Sequence, residues 1–113
     1  MIEQDKDASR DAPQIKVRLL TAAALHCTPS WADFGQREIR DPFSRLYWLE
    51  DGEARINLHQ KQMVMHPGRL YVIPAYVSSR YFCPDYMYLY YAHFTADIFG
   101  GMELFSFFDW PLE

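Results

Sequence analysis

A chain of 113 residues fits one compact domain. Half of its residues are apolar and 17% are aromatic, which supplies a packed interior and excludes a disordered polymer. A formal net charge of −4 excludes the concentrated basic face that grips phosphates, so nucleic acid is not an expected partner of these residues.

Two cysteines, Cys27 and Cys83, and a charged opening in place of the apolar run of a signal peptide point to a cytoplasmic setting with free thiols. A Cys27–Cys83 bridge is the alternative. No apolar run approaches the roughly 20 residues that span a bilayer, so no membrane association is expected.

In chain order, Met1 to Gln14 carries Asp5, Lys6, Asp7, Arg10, Asp11 and Pro13 without apolar periodicity and is expected to be a flexible arm. Ile15 to His26 is β-branched at its start and alanine-rich at Ala22, Ala23 and Ala24; strand is preferred over helix. Trp31, Phe34 and Ile39 are irregularly spaced between Pro29 and Pro42 and predict an irregular strand and loop.

Arg45 to Glu50, then Asp51-Gly52, then Glu53 to Leu58 predicts a β-hairpin. Asp-Gly supplies positive φ angles, and Ala54, Ile56 and Leu58 alternate with Glu53, Arg55 and Asn57. A second turn at His59-Gln60 leads into a strand at Gln62 to Met65. Pro67-Gly68 breaks the chain before a strand from Arg69 to Ile73, which Pro74 stops because proline cannot donate to a ladder. Ser79 to Phe82 and Tyr86 to Phe94 follow as strands, the latter with Tyr86, Tyr88 and Tyr90 on one face and Met87, Leu89 and Tyr91 on the other. One of these faces is expected to form a barrel wall and the other the seat of a helix or a dimer partner.

Beyond Thr95 the pattern changes. Thr95 or Asp97 can cap a short helix, apolar on nearly every side apart from Glu103 and Ser106 and therefore in need of cover. Many short strands of this spacing predict a sandwich or barrel, in which closure removes exposed edges.

The stretch Pro67-Gly-Arg-Leu-Tyr-Val-Ile-Pro74-Ala-Tyr-Val-Ser-Ser-Arg-Tyr81, preceded by a hairpin ending at Gly52 and followed by Tyr91-Ala-His-Phe94, resembles the cupin jelly roll of AraC-type (arabinose-regulator-like) transcriptional regulators. The resemblance covers roughly residues 40–111. It implies an all-β, cupin-like double-stranded β-helix, or jelly-roll barrel, with a short C-terminal helix. Residues 1–14 would be the arm, 15–94 the sensor barrel and 95–113 the start of a C-terminal helical segment. It also implies a cytoplasmic, non-catalytic domain that senses a small-molecule effector, a carbohydrate first of all, without a cofactor. DNA would be bound through a helix-turn-helix domain absent from this chain. Relatives dimerise partly through helices outside this span, which leaves a homodimer open.

Metal-dependent cupin enzymes share the fold but need clustered His and Glu ligands. Where they carry His-x-His before the first hairpin, this chain reads Asp41-Pro-Phe-Ser-Arg45, and Ser79 replaces the histidine after the second turn. No metal is therefore expected. A cupin-class enzyme and a self-association barrel whose pocket is filled by side chains are the rivals.

In arabinose-binding relatives an arginine before the first hairpin bonds the ligand and later aromatics stack on it. Transferred by spacing, the arginine falls on Arg37, with Arg40 as alternative, and the aromatics on Tyr81 and Tyr91, with Trp48 and Trp31 as further candidates. His93, on the same strand as Tyr91, joins this ligand-binding set. The competing explanations are core packing for the rings and a solvated guanidinium for the arginines. His26 and His93 occupy apolar strand contexts and are expected in the core; His59 and His66 fall in turns and are expected in solvent. No nucleophile motif stands out, so no catalytic residue is assigned.

Overall fold

Period-two alternation decides which side chains face inward. Ala54, Ile56 and Leu58 are buried while Arg55 between them is exposed, and Met63 and Met65 repeat the pattern one strand later. The computed structural model describes residues 14–59 and 61–107. Its strands are β1 (Ile15–Cys27), β2 (Ser44–Gly52), β3 (Ala54–Leu58), β4 (Lys61–Met65), β5 (Leu70–Ile73), β6 (Arg80–Phe82), β7 (Met87–Ile98) and β8 (Met102–Glu103).

All pairings are antiparallel. One sheet runs β1-β7-β2-β5 with β8 attached to β7, and the other runs β4-β3-β6. A single core joins them: Leu49, Tyr71, Ile73, Met87 and Leu89 from the larger sheet meet Ala54, Ile56, Met65 and Tyr81 from the smaller. Strands β1 to β7 lie within a few residues of the expected ones, while β8 falls where a helix is expected.

Three expectations change. The predicted hairpin across Asp51-Gly52 is instead a corner between sheets, because β2 pairs with β7 and β5 while β3 pairs with β4 and β6. A tight turn and a sheet-to-sheet corner both need a residue at positive φ between alternating runs, so the local pattern is the same for each. Here Gly52 has φ 92° and lies directly under the start of β7, with the Glu53 N–H donating to the Tyr86 carbonyl at 3.4 Å. Asp51 clamps the corner: its Oδ1 accepts from the Gly52 N–H at 2.9 Å and its Oδ2 from the Tyr86 hydroxyl at 3.1 Å. The true hairpin is β3–β4, with Leu58 opposite Lys61, as the second predicted turn requires.

The helix expected from Thr95 or Asp97 is also replaced. β7 continues to Ile98 because Thr95, Asp97 and Ile98 pair with Arg18, Lys16 and Ile15 of β1, which commits their backbone groups to the ladder. The short helical element comes later, as a single 3-10 turn at Leu104–Phe107, where Phe105 packs edge-on to Phe94 with centroids 6.0 Å apart. The expected arm lies outside the described residues except for Gln14, as do positions 108–113.

Thirdly, His26 is not a core residue. It is exposed on β1, which forms a sheet edge with Cys27 as its one buried member, and its ring stacks on Tyr88 at 4.5 Å. His59 and His66 are exposed, as expected of turn residues. Both cysteines are buried and free, and burial, reinforced by Cys83, pushes the Cys27 thiol up to about 11. Among the described residues no helix is long and apolar enough to cross a membrane.

A Cβ at Gly52 would stand 2.2 Å from the Tyr86 carbonyl oxygen, whereas one at Gly68, also at positive φ, would meet nothing within 4 Å. Gly52→Ala therefore combines backbone strain with overpacking and is expected to cost about 2–4 kcal/mol. Gly68→Ala should cost only about 1 kcal/mol, the strain alone. Urea denaturation of both variants checks the order, and equal losses would show that the corner is not sterically fixed.

Candidate functional site

The register of the larger sheet stacks inward side chains in rows. Arg45 stands between Ile73 and His93, Tyr47 between Tyr71 and Tyr91, and Leu49 beside Leu89. On β1 the same rows continue to Thr21, Ala23 and Leu25. From the opposite sheet, Tyr81 projects inward next to Ile56.

A cavity of about 180 Å³ opens at this end of the barrel. Five predicted ligand-binding residues line it: Trp31, Arg37, Tyr81, Tyr91 and His93. Asp41, Arg45 and Tyr47 complete its polar and aromatic wall, and Leu25, Ile39 and Leu89 add aliphatic surface. The loop bearing Trp31 and Arg37 is held over the cavity by a two-way backbone bridge. Ile39 N–H donates to the Ser79 carbonyl at 2.8 Å and Ser79 N–H returns the bond at 2.9 Å.

Two candidates are not in the cavity. Trp48 is 39% exposed on the outer face, since alternation sends Tyr47 and Leu49 inward and the residue between them outward. Arg40 lies outside as well: its Nε donates to the Tyr76 carbonyl at 2.8 Å and its guanidinium sits 5.6 Å from the Tyr76 ring centroid.

Arg45 is the residue that sequence reasoning missed. It is 2% exposed, and its Nη1 donates to the Tyr81 hydroxyl, which also accepts from Ser79 Oγ at 2.9 Å. Nε and Nη2 have no hydrogen-bond partner among the described residues. The nearest carboxylate, Asp41, places Oδ2 3.8 Å from Nη2, an ion pair beyond hydrogen-bond length, with the Asp41 side chain 37% exposed. Leaving buried donors unmatched costs about 1–3 kcal/mol each, and more for charged groups, so this edge of the guanidinium is primed for an acceptor. The signal was available in sequence: Arg45 lies two and four residues before Tyr47 and Leu49, hence on their face.

The aromatic wall is contiguous. Trp31 lies 5.0 Å from Tyr81 and 6.3 Å from Tyr47 between centroids, and Tyr47 meets Tyr81 edge-on at 5.8 Å. Tyr91 and Phe43 lie 5.0 and 4.6 Å from the His93 ring. Burial raises the Tyr81 phenol, partly offset by Arg45, and raises Tyr47 well above the usual tyrosine range, so both hydroxyls stay protonated at neutral pH. Burial, then the Arg45 charge, lowers His93, against a smaller opposing pull from Asp41. Among the described residues no three His, Cys, Asp or Glu side chains lie together as a metal set would require.

No family model and no curated protein sequence matches the chain. Solved structures do. The Clostridium difficile EutQ protein superposes with TM-score 0.53 at 13% identity, covering 75% of this chain and 71% of that one. The cupin domain of Schizosaccharomyces pombe Cnp3 superposes with TM-score 0.54 at 12% identity, covering 76% and 69%. At these identities the likeness establishes the fold, an all-β cupin-like jelly roll as expected from the sequence.

The lowered His93 yields a pH prediction with a definite sign. The folded state favours the neutral ring, so the associated stability is complete above the unfolded value near 6.5 and is lost as pH falls below it toward the folded value. NMR titration of the His93 ring should give a midpoint below 6.5. Between pH 7 and pH 5 the wild type should lose more thermal stability than His93→Gln; equal losses would contradict the assignment.

Proposed function

We propose that the chain is the effector-sensing domain of an AraC-type transcriptional regulator and that the cavity beneath Trp31 holds a small polar organic molecule, a carbohydrate. The observation that carries this is the lining itself. Aromatic faces of Trp31, Tyr47, Tyr81 and Tyr91 surround a buried guanidinium with N–H groups to spare. The C–H faces of a sugar stack on such rings while its hydroxyls take directed donors and acceptors. At about 180 Å³ the cavity is smaller than the roughly 300–1,000 Å³ clefts that take drug-sized ligands, which favours a guest of one ring.

Sensing requires that the guest bind one arrangement of the protein better than another. In the reading we favour, occupancy is passed to a helix-turn-helix domain outside this span, and the residues here do not touch DNA, in keeping with their net charge of −4. A non-catalytic role is supported by the site's chemistry. The two deep phenols are held protonated, and a divalent cation brought into the cavity would meet the fixed positive charge of Arg45.

Calorimetric titration against pentoses, hexoses and uronic acids is expected to show saturable binding by at least one sugar. Trp31→Ala should weaken the responding sugar by about five-fold or more through lost stacking. Trp48→Ala, on the outer face, should leave it unchanged. Absence of heat across the panel, or a stoichiometric transition metal in the purified protein, would remove this function.

A further inference from the structure

We infer that the guest carries a carboxylate and that the Nε/Nη2 edge of Arg45 binds it, making the site selective for sugar acids over neutral sugars. This rests on the cavity being a small-molecule site and specifies what it takes. Nη1 of Arg45 is committed to Tyr81, whereas Nε and Nη2, the two nitrogens on the adjacent edge, are both buried and without a hydrogen-bond partner among the described residues. Two parallel N–H donors on one guanidinium edge match the two oxygens of a carboxylate. A hydroxyl accepts at one point and leaves the charge unanswered.

Electrostatics point the same way. Arg37 and Arg45 place two positive charges on the cavity wall against one negative charge, Asp41, and burial disfavours a further charge on His93. The cavity therefore carries a net positive charge inside a chain whose overall charge is −4. A single carboxylate restores the balance. The internal competitor is weakly placed, since Asp41 Oδ2 stops 3.8 Å short of Nη2 and its side chain is 37% exposed. The hydroxyls of Tyr47 and Tyr81 border the same space and, being protonated, can serve oxygens that Arg45 does not reach.

The test is calorimetry of the wild type with galacturonate, glucuronate and gluconate, each compared with its methyl ester or lactone and with the parent neutral sugar. At least one acid should bind about ten-fold or more tightly than its uncharged counterparts, as expected for a charge-assisted bidentate contact. Arg45→Lys keeps the charge but loses the fork and should lower acid affinity by about ten-fold. Circular dichroism and thermal unfolding report whether that buried variant still folds. Asp41→Asn removes the competing negative charge from a partly exposed position and should strengthen acid binding by about three- to ten-fold. Neutral sugars binding as tightly as the acids, or Asp41→Asn leaving acid affinity unchanged or weaker, would overturn the carboxylate assignment while leaving the cavity a sugar site. No binding by acids, esters or neutral sugars would remove the site itself.

Discussion

A guanidinium taken almost wholly out of water constrains everything around it. Arg45 comes from β2 of the larger sheet, and the hydroxyl it meets belongs to Tyr81 on β6 of the smaller one, so the contact also spans the barrel. Removing a charge from solvent is costly unless hydrogen bonds replace its hydration, and the replacement here is partial: among the described residues Nη1 is paired, whereas Nε and Nη2 lack hydrogen bonds, Nη2 standing at ion-pair distance from Asp41. Ser79 supports the arrangement by donating to the same Tyr81 oxygen, which fixes the phenol under the arginine. The polar end of the cavity is thus built around one side chain, and the aromatic wall is the surface that remains when Tyr47 and Tyr81 pack about it.

Two backbone features bring these groups together. At Gly52 the chain leaves the larger sheet for the smaller, an approach so close to Tyr86 and Met87 that a side chain has no room. Without that corner β3 and β6 could not face β2, and Tyr81 would not reach Arg45. At Ile39 and Ser79 the paired backbone bonds anchor the loop that carries Trp31 and Arg37, and Gly35 in that loop lies so close to the Phe82 ring that a Cβ would clash. The loop is fixed at both ends of β6, and the residues it lends to the cavity are positioned by strands they do not belong to.

Much of this was legible in the amino-acid order because period-two patterns are local. Strands β1 to β7, the grouping of Met87, Leu89 and Tyr91 on one face, and the cavity positions of Tyr81 and His93 follow from alternation or from spacing relative to Pro74 and Phe94, although alternation does not say which face is inward. Partner choice between strands is not local. Asp51-Gly52 satisfies the requirements of a hairpin and of a corner equally, and only the arrival of β7, some 35 residues later, decides between them. Trp48 is a candidate through the resemblance alone, and its neighbours Tyr47 and Leu49 assign it to the other face. Spacing places the ligand arginine on Arg37 or Arg40, whereas the alternation of Arg45 with Tyr47 and Leu49 is what points a guanidinium inward. The continuation of β7 past Thr95 had no local signal either, since it depends on pairing with the far end of β1.

The same physics fixes the charge carried by the groups around the cavity. Burial holds both deep phenols in their neutral form and disfavours a proton on His93, so within the cavity these groups offer hydrogen bonds without net charge near pH 7. Arginine does not release its proton in a protein, so the charge at the cavity's deep end is constant where that of a histidine or lysine would vary. A wall of hydroxyl and imidazole groups around a permanent cation orients an acceptor-rich guest. How well a guest completes the unfilled edge of one buried arginine then sets how tightly that guest is held.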